Sequence, residues 1–495
     1  MRTLKSIILS TSLLTVSLLA VTACKNSEFL EVTPRSQGDS QIALTTAEGV
    51  DAAVNGIYDR LQNVVLYGRD MLAVSEALSD NAQFTNKSGR LANENRNIQN
   101  NTFGTATAAG ATWQSAYFAI NQANLILDNI GGVAFADTAQ RNRLQGQAYF
   151  LRALLYHDLS RIYAYDPGVA VATQDRGGVP LLLVGVADQS KITLPARPAV
   201  ADVYKQIYAD LQSSIASFSR TNANAPAYGN RQAAQALFSR VALYNKDYAT
   251  AVKYATDAIA GTIKLSPNAS YVGGWRAPQN PESLFEIQYI VAENIGVNTS
   301  LQTTYTTLVR TGDRTATGGF GDLVPTTAFI NDLEAEKSAT GTVLDIRRQL
   351  YELGTAGRGA AFIECTKFLG RNGTINLDNI PVIRVSELYL NRAEANYNLG
   401  NTTEALADLN VIRQRCGLPA STVTGAPLLA EIMRQERLEF GFEGHRWFDL
   451  KRTGQNVVKA AAQGGGLVYT DNRILAPIPV NELSTNKSIQ QNFGY

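Results

Sequence analysis

The most constraining feature of the sequence is a helical hairpin predicted between Ser386 and Gly417. Gly400 is suited to the left-handed position that ends the first helix, and Asn401 with Glu404 forms a capping box that begins the second. Apolar residues of the second helix recur at helical spacing, at Ala405, Leu409, Ile412 and Cys416. Because the turn is so short, the two helices are expected to run antiparallel and to need neighbours that cover their apolar faces.

The same pattern recurs along the chain. Short motifs with large and small apolar residues align on Arg152, Arg240 and Arg392. A capped second helix follows the last two, beginning near Asp247 and Asn401. Such recurrence is typical of degenerate tetratricopeptide units, which stack because none buries its apolar face alone. We therefore predict a mainly α fold, a tetratricopeptide-like helix-hairpin scaffold with an irregular inserted subdomain that contains little strand.

The inserted subdomain is recognised by a change in composition. Between residues 261 and 380 Gly, Thr, Asn and Pro become frequent, and only short runs such as Ser283 to Ile290 are suited to strand. We expect one domain over residues 41–495. Its parts are the helical scaffold at 41–260 and 381–460, the insertion at 261–380, and an extended C-terminal tail at 461–495.

The N-terminus predicts secretion and a lipid anchor. Arg2 and Lys5 precede a short apolar run, which is typical of a signal peptide over residues 1–23. The run ends in small residues followed by Cys24, which resembles a bacterial lipobox. We expect lipidation at Cys24, a polar tether over residues 24–40, and residence in the outer membrane. An ordinary signal peptide with a chance cysteine is the alternative.

Charge and motif content argue against several classes of function. The formal charge is +1, so the chain has no general attraction for nucleic acid. The two histidines, His157 and His445, are predicted to pack or to form structural hydrogen bonds, and no nucleophile, metal or phosphate-binding motif occurs. We predict no enzyme activity, no catalytic residue, no metal and no cofactor. Cys365 and Cys416 are either buried thiols or a disulfide.

A family resemblance emerges at the C-terminus. The segment Glu431 to Gly454, which contains EGHRWFD, closely resembles the signature of the SusD/RagB family, and residues 475–495 resemble that family's ending. The resemblance implies a surface-exposed outer-membrane lipoprotein that binds a nutrient, most often an oligosaccharide, and delivers it to a SusC-like TonB-dependent transporter. Some members serve peptides, so a peptide-capturing lipoprotein remains an alternative. A helical-repeat adaptor for protein partners is a third possibility.

Candidate ligand contacts lie in two polar regions. Trp275, with Tyr271 close by, lies among glycines without helical periodicity, and is either an exposed stacking platform or a tryptophan packed under a loop. Flat rings suit sugars because a pyranose presents apolar C–H faces. The polar loop at residues 80–110 offers hydroxyl partners and a second ring, and is otherwise a solvated loop. Its candidates are Asp80, Asn81, Phe84 and Arg90. Trp113 and Trp447 are expected in the core.

Overall fold

The computed structural model describes residues 44–96, 111–218 and 226–495. The predicted leader, Cys24, the tether and residues 97–110 of the polar loop lie outside the described residues. The α-helices are α1 Ala47–Leu61, α2 Asp70–Leu78, α3 Ala92–Arg96, α4 Ala111–Asn129, α5 Thr138–Tyr163, α6 Val200–Ser217, α7 Arg231–Tyr244, α8 Tyr248–Ile259, α9 Asn268–Gly274, α10 Leu301–Tyr305, α11 Thr327–Leu333, α12 Val385–Asn398, α13 Thr402–Arg415, α14 Ala426–Glu439, α15 Arg446–Arg452 and α16 Val480–Thr485. The strands are β1 Ala82–Phe84, β2 Ser283–Ile287, β3 Leu308–Arg310, β4 Asp313–Thr317, β5 Leu323–Pro325, β6 Tyr351–Leu353, β7 Ile363–Cys365 and β8 Ile380–Arg384.

The long helices form the scaffold by packing on their neighbours in the chain. Helix α5 lies against α4 and α6, α7 against α8, and α12 against α13. Helix α8 also packs on α12, although the whole insertion separates them in sequence. The mainly α, hairpin-based fold class predicted from the sequence is confirmed. Among the described residues, no helix is both long and apolar enough to cross a membrane.

The hairpin of α12 and α13 has the predicted turn and apolar stripe but not the predicted N-cap. Gly400 has a φ of 82°, the left-handed conformation expected after a helix. The predicted apolar stripe of α13 is fully buried. The predicted capping box is wrong, because Asn401 caps no backbone N–H of α13. Its amide turns back toward the preceding helix, where Nδ2 donates to Oδ1 of Asn396 at 3.2 Å.

The three aligned arginines each pair with a carboxylate on another helix. Arg152 of α5 binds Asp210 of α6, with 2.6 Å between Nη2 and Oδ1. Arg392 of α12 makes the same pairing with Asp408 of α13, at 2.7 Å. Arg240 of α7 instead reaches Glu387 of α12, with 2.6 Å between Nη2 and Oε2. The repeat in the sequence therefore corresponds to a repeated link between helices.

The strands form four separate antiparallel pairs, so the insertion contains little strand, as predicted. Strand β2 pairs with β8, which joins the beginning of the insertion to its end. The predicted strand at Ser283 is confirmed but ends at Ile287. Strand β1 pairs with β5, and this pairing connects the segment after α2 to the insertion.

A buried network of charges fastens the insertion to the scaffold. Glu439, the last residue of α14, is completely buried. Its Oε1 lies 2.8 Å from Arg384 Nη1 and 2.6 Å from Arg415 Nη2, and its Oε2 lies 3.4 Å from Arg347 Nη1. Burial alone raises the pKa of a carboxyl, but the three arginines outweigh it and hold the pKa of Glu439 well below its usual value. The Glu439 carboxylate is therefore a charged centre that binds β8 through Arg384, α13 through Arg415 and the short turn at residues 346–350 through Arg347.

The remaining tryptophans and both C-terminal cysteines lie in the core. Trp113 and Trp447 are buried, as expected. Cys365 and Cys416 are both buried free thiols, so of the two alternatives the structure contains the thiols. Burial raises the pKa of Cys365 to about 12 and that of Cys416 to about 11.

Removing the shared carboxylate is expected to destabilise the whole protein. In Glu439→Ala, Arg384 and Arg415 keep buried charges with fewer partners, and we expect the free energy of unfolding to fall by about 3–5 kcal/mol. Glu404→Ala, an exposed glutamate of α13, is the matched control and is expected to change stability by no more than about 0.5 kcal/mol. Urea denaturation of both variants tests this. Equal stability of the two variants would contradict a central role for Glu439.

Candidate functional site

The pairing of β1 with β5 joins the beginning of the predicted polar loop to the inserted subdomain. Phe84 lies opposite Leu323 and Ala82 opposite Pro325. The main chain continues the contact beyond the strands, since the N–H of Thr85 donates to the carbonyl of Asp322 at 3.0 Å. As a result, the segment after β1 and the insertion share one surface.

Arg90 is fixed at this surface by a buried acid. Asp322 is completely buried and accepts from Arg90 Nε at 2.9 Å, in an arrangement that also uses Nη2. Arg90 Nη1 donates to the carbonyl of Asn298. The guanidinium carbon then lies 4.2 Å from the centroid of the Phe320 ring. Arg90 is thus a positioning residue that holds Phe320 in place through a cation–π contact.

The backbone before Phe320 is also constrained. A Cβ at Gly319 would lie 2.1 Å from the carbonyl oxygen of Thr306, so no larger residue fits there. The N–H of Phe320 donates to the carbonyl of Thr303 at 2.9 Å. These contacts place a half-buried aromatic ring at the edge of the insertion.

Arg358 supplies the exposed group of this surface. Its guanidinium carbon lies 4.3 Å from the Phe320 centroid, and the side chain is exposed. It has no hydrogen-bond or ion-pair partner in the part of the chain that the structure describes. Nearby in the chain, Phe362 is half-buried beneath Lys87, whose Nζ lies 5.4 Å from the ring centroid. We call Lys87, Arg90, Phe320, Arg358 and Phe362 the Phe320 surface.

The chemistry of the Phe320 surface suits a ligand with both apolar and hydroxyl faces. Aromatic rings contribute apolar area, and an exposed guanidinium offers several N–H donors in a fixed plane. The carboxylates of the region are already occupied. Glu364 is completely buried and accepts from Thr307 N at 2.6 Å, Thr307 Oγ1 at 2.7 Å and Lys87 Nζ at 3.2 Å.

The four predicted residues of the polar loop differ in accessibility. Asp80 binds Arg446 in a two-pronged pair at 2.7 and 2.8 Å. Burial opposes ionisation of Asp80, but the Arg446 hydrogen bonds prevail and lower its pKa. Asn81 is completely buried, and its Oδ1 accepts from Arg437 Nε at 2.8 Å. Asp80 and Asn81 are therefore engaged within the protein. Their contact with a ligand stays a prediction.

Phe84 and Arg90 behave differently from each other. Phe84 is buried, and the guanidinium carbon of Arg96 lies 5.6 Å from its ring centroid. Arg90 is half-buried and belongs to the Phe320 surface. Of the residues predicted in this loop, only Arg90 reaches that surface.

The exposed-platform alternative for Trp275 is wrong for this structure. Only 8% of the Trp275 surface is exposed, and its ring lies edge-on to Phe368 with centroids 5.8 Å apart. Lys367 Nζ lies 5.0 Å from the same ring. Tyr271 is buried as well, with the guanidinium carbon of Arg415 4.3 Å from its ring. Both rings cover the charge network at Glu439 instead of facing solvent, and the loop-packing alternative for Trp275 is confirmed.

The histidines lie in packed surroundings. His157 is completely buried, with its ring edge-on to Tyr244 at 4.9 Å, and neither ring nitrogen has a hydrogen-bond partner among the described residues. His445 stacks on Phe440 at 4.5 Å. Burial, reinforced by neighbouring arginines, lowers the pKa of both imidazoles well below the usual value. Within the described ranges, no group of three or more His, Cys, Asp or Glu side chains is placed to hold a metal.

Sequence reasoning missed Phe320, Phe362 and Arg358. The available signal was the glycine-rich run that ends at Phe320, because an aromatic residue among glycines has the same local pattern that singled out Trp275. Local pattern does not tell which of the two rings is covered. The partners of each ring come from elsewhere in the chain.

Known proteins resemble this chain in sequence and in structure. A family model described as the SusD family matches residues 362–495, and a second, described as "Starch-binding associating with outer membrane", matches residues 28–243. SusD-like protein P38 of Formosa agariphila is 24% identical over 98% of each protein. The starch-binding protein SusD of Bacteroides thetaiotaomicron is 35% identical, over 24% of this chain and 22% of that protein.

A solved structure is similar to this chain in both sequence and fold. A putative sugar binding protein from Bacteroides vulgatus is 27% identical and superposes with a TM-score of 0.77, covering 91% of this chain and 99% of its own. The SusD family model covers the C-terminal segment with EGHRWFD, residues 362–495, and the model of SusD-like proteins covers residues 28–243, so that together they match most of the chain. The chain therefore belongs to the SusD/RagB family.

Proposed function

We propose that this protein binds an oligosaccharide at the Phe320 surface and does not cleave it. The observation that carries the proposal is the exposed guanidinium of Arg358 against a ring that Arg90, paired with the buried Asp322, holds in place. This arrangement offers hydroxyl partners without a large ordering cost, because the platform is preorganised. The similarity to proteins described as starch-binding or sugar binding supports a glycan ligand.

Two acids near the Phe320 surface, Asp322 and Glu364, are engaged within the protein. Glycoside hydrolysis needs two carboxyl groups that face the bond to be broken. Asp322 and Glu364 are both completely buried, and each accepts several hydrogen bonds from protein groups. Neither presents a free oxygen edge to a ligand on the Phe320 surface, so binding without chemistry is the favoured role.

We further propose that the mature chain is anchored through acylated Cys24, is exposed at the cell surface, and delivers its ligand to a SusC-like TonB-dependent transporter. The family description already associates such proteins with the outer membrane. Several buried acyl chains at about 0.8 kcal/mol per CH₂ make attachment long-lived. The predicted tether, residues 24–40, would give the folded part freedom to meet a transporter in the same membrane.

Loss of the exposed guanidinium is expected to weaken glycan binding. Arg358→Ala should reduce affinity about tenfold or more, because one hydrogen bond from a charged donor contributes about 1.5–3 kcal/mol. Calorimetry against starch, laminarin, xylan and mannan oligosaccharides measures this. Lys253→Ala is the matched control, since it removes another exposed cation, 4.0 Å from the Tyr254 ring, on scaffold helix α8.

The outcomes separate the three candidate functions. Unchanged glycan affinity in Arg358→Ala would exclude the Phe320 surface. A wild-type chain that binds peptide digests and no glycan would support the peptide-capturing alternative. Binding of neither, with a stable protein partner retained, would support the adaptor.

Attachment is expected to depend on a single thiol. Cys24→Ala should leave the protein out of the outer-membrane fraction, because no acyl chain can then be added. Cys365→Ala is the control and should fractionate like the wild type. Immunoblots of separated fractions, with protease added to intact cells, measure both attachment and surface exposure. Retention of Cys24→Ala in the outer membrane would contradict the lipid anchor.

The transporter proposal has its own test. Detergent extracts of membranes that carry the anchored wild-type protein should yield a TonB-dependent transporter in stoichiometric amount when the protein is affinity-purified. Mass spectrometry identifies the co-purified chain, and the Cys24→Ala protein serves as the unanchored control. Recovery of the anchored protein alone, under conditions that keep other outer-membrane complexes intact, would count against the partnership.

A further inference from the structure

A cavity lies beside α1, away from the Phe320 surface. It has a volume of about 550 Å³, and its lining includes Tyr58, Asp59, Gln62, Tyr228, Tyr289 and Glu293. This volume falls within the range of about 300–1,000 Å³ typical of small-ligand sites. The cavity shares no lining residue with the Phe320 surface. We call it the α1 cleft.

The walls of the α1 cleft are rigid. The hydroxyl of Tyr58 accepts from the N–H of Gly229 at 2.9 Å, and its ring lies edge-on to Tyr228 with centroids 5.1 Å apart. Opposite them, the Tyr289 hydroxyl donates to the carbonyl of Gln62 at 2.9 Å. Gln62 Nε2 in turn donates to the carbonyl of Gln288 at 2.7 Å. Three tyrosine rings are thus held in fixed positions around one space.

Polar groups at the opening have spare hydrogen-bonding capacity. The Asp59 carboxylate is exposed, and neither it nor the Tyr228 hydroxyl has a hydrogen-bond or ion-pair partner in the described part of the chain. Glu293 uses Oε2 to accept from Ile290 N at 2.9 Å and Gln62 Nε2 at 3.2 Å, which leaves Oε1 available. The free groups are mainly acceptors, and acceptors require a ligand that donates, as sugar hydroxyls do.

Exposed apolar residues complete the opening. Ile290 lines the α1 cleft with 62% of its surface exposed, and the adjacent Val291 is 71% exposed. Apolar side chains next to free carboxylate oxygens match the two kinds of surface on a pyranose, its C–H faces and its hydroxyls. The two carboxylates disfavour an acidic ligand by charge repulsion. Arg371 also lines the cleft and offsets one of the two carboxylates, which reduces the attraction for a cationic ligand.

We propose that the α1 cleft is a second sugar-binding site, which takes an uncharged pyranose unit. It extends the proposed glycan-binding function to a separate place on the protein. Residues 290–298 connect the two places, because Ile290 lines the cleft and the Asn298 carbonyl accepts from Arg90. Eight residue steps span at most about 28 Å. One long glycan that occupies both sites therefore gains affinity through the high effective concentration at the second.

The test counts ligands per chain. Isothermal titration with uncharged oligosaccharides of the maltose, laminarin, cellulose, xylan and mannan series, kept too short to occupy both sites at once, should show two sites in the wild type. Asp59→Ala and Tyr228→Ala should each weaken one site about tenfold or more and leave the other unchanged. Arg358→Ala should weaken the site at the Phe320 surface and leave the site in the α1 cleft unchanged. Glu48→Ala, which removes another exposed acid of α1, is the matched control and should retain both sites.

The outcomes also separate this proposal from the proposed function. A single site that Arg358→Ala weakens, and that Asp59→Ala and Tyr228→Ala leave unchanged, would overturn the α1 cleft and retain the Phe320 surface. A single site weakened only by Asp59→Ala and Tyr228→Ala would support the cleft and overturn the Phe320 surface. No binding of any uncharged oligosaccharide would overturn the α1 cleft, whereas the Phe320 surface is overturned if Arg358→Ala leaves unchanged the affinity for every glycan that the wild type binds. Thermal unfolding of each variant distinguishes a loss of binding from a loss of folding. Asp59→Ala is expected to disturb the fold least, because the Asp59 side chain is exposed.

Discussion

The fold depends on a neutral set of buried charges centred on Glu439. Four cations and four acids are linked there by direct ion pairs, namely Arg347, Lys367, Arg384, Arg415, Glu282, Asp345, Glu439 and Glu443. Each ion costs several kcal/mol to bury, and the cost is offset only when every partner is present with good geometry. Because the set draws on β8, α13 and α14 as well as on the insertion, these elements have to assemble together. Trp275 and Tyr271 cover it, which explains why two candidate ligand rings are buried.

The scaffold repeats the same principle on a smaller scale. Arg152 and Arg392 each bind an aspartate on the next helix, whereas Arg240 reaches across the insertion to Glu387 of α12. The odd pairing is informative. It occurs where α8 and α12 are neighbours in space and the chain between them leaves the scaffold, so Arg240 links the two parts that the insertion separates. A large irregular insertion is tolerated because the helices on either side of it remain bonded to each other.

Much of the fold was predictable because its signals are local. Helical spacing of apolar residues and the glycine at Gly400 depend on neighbours a few residues away, and the aligned arginines are visible as a local repeat although their partners are distant. The failures involve distant partners. Asn401 donates a hydrogen bond to Asn396 instead of capping the helix that follows it. Trp275 packs against Lys367 and Phe368, which lie about 90 residues later in the chain. Arg90 was recognised as a polar loop residue, but its role follows from Asp322 and Phe320, which no local pattern connects to it.

The two proposed sugar sites differ in how freely their chemistry can change. At the Phe320 surface, Asp322 is buried and its replacement would leave Arg90 without a counter-charge and the β1–β5 region without its anchor. Arg358 is exposed and supports nothing else among the described residues. At the α1 cleft, Tyr58 and Tyr289 hold neighbouring backbone, whereas the Asp59 carboxylate has no hydrogen-bond or ion-pair partner among the described residues. In both places buried contacts fix the aromatic rings, and an exposed residue is the proposed contact to the ligand. If the two proposals hold, we expect substitutions at the exposed positions to alter which glycan is bound with little effect on stability.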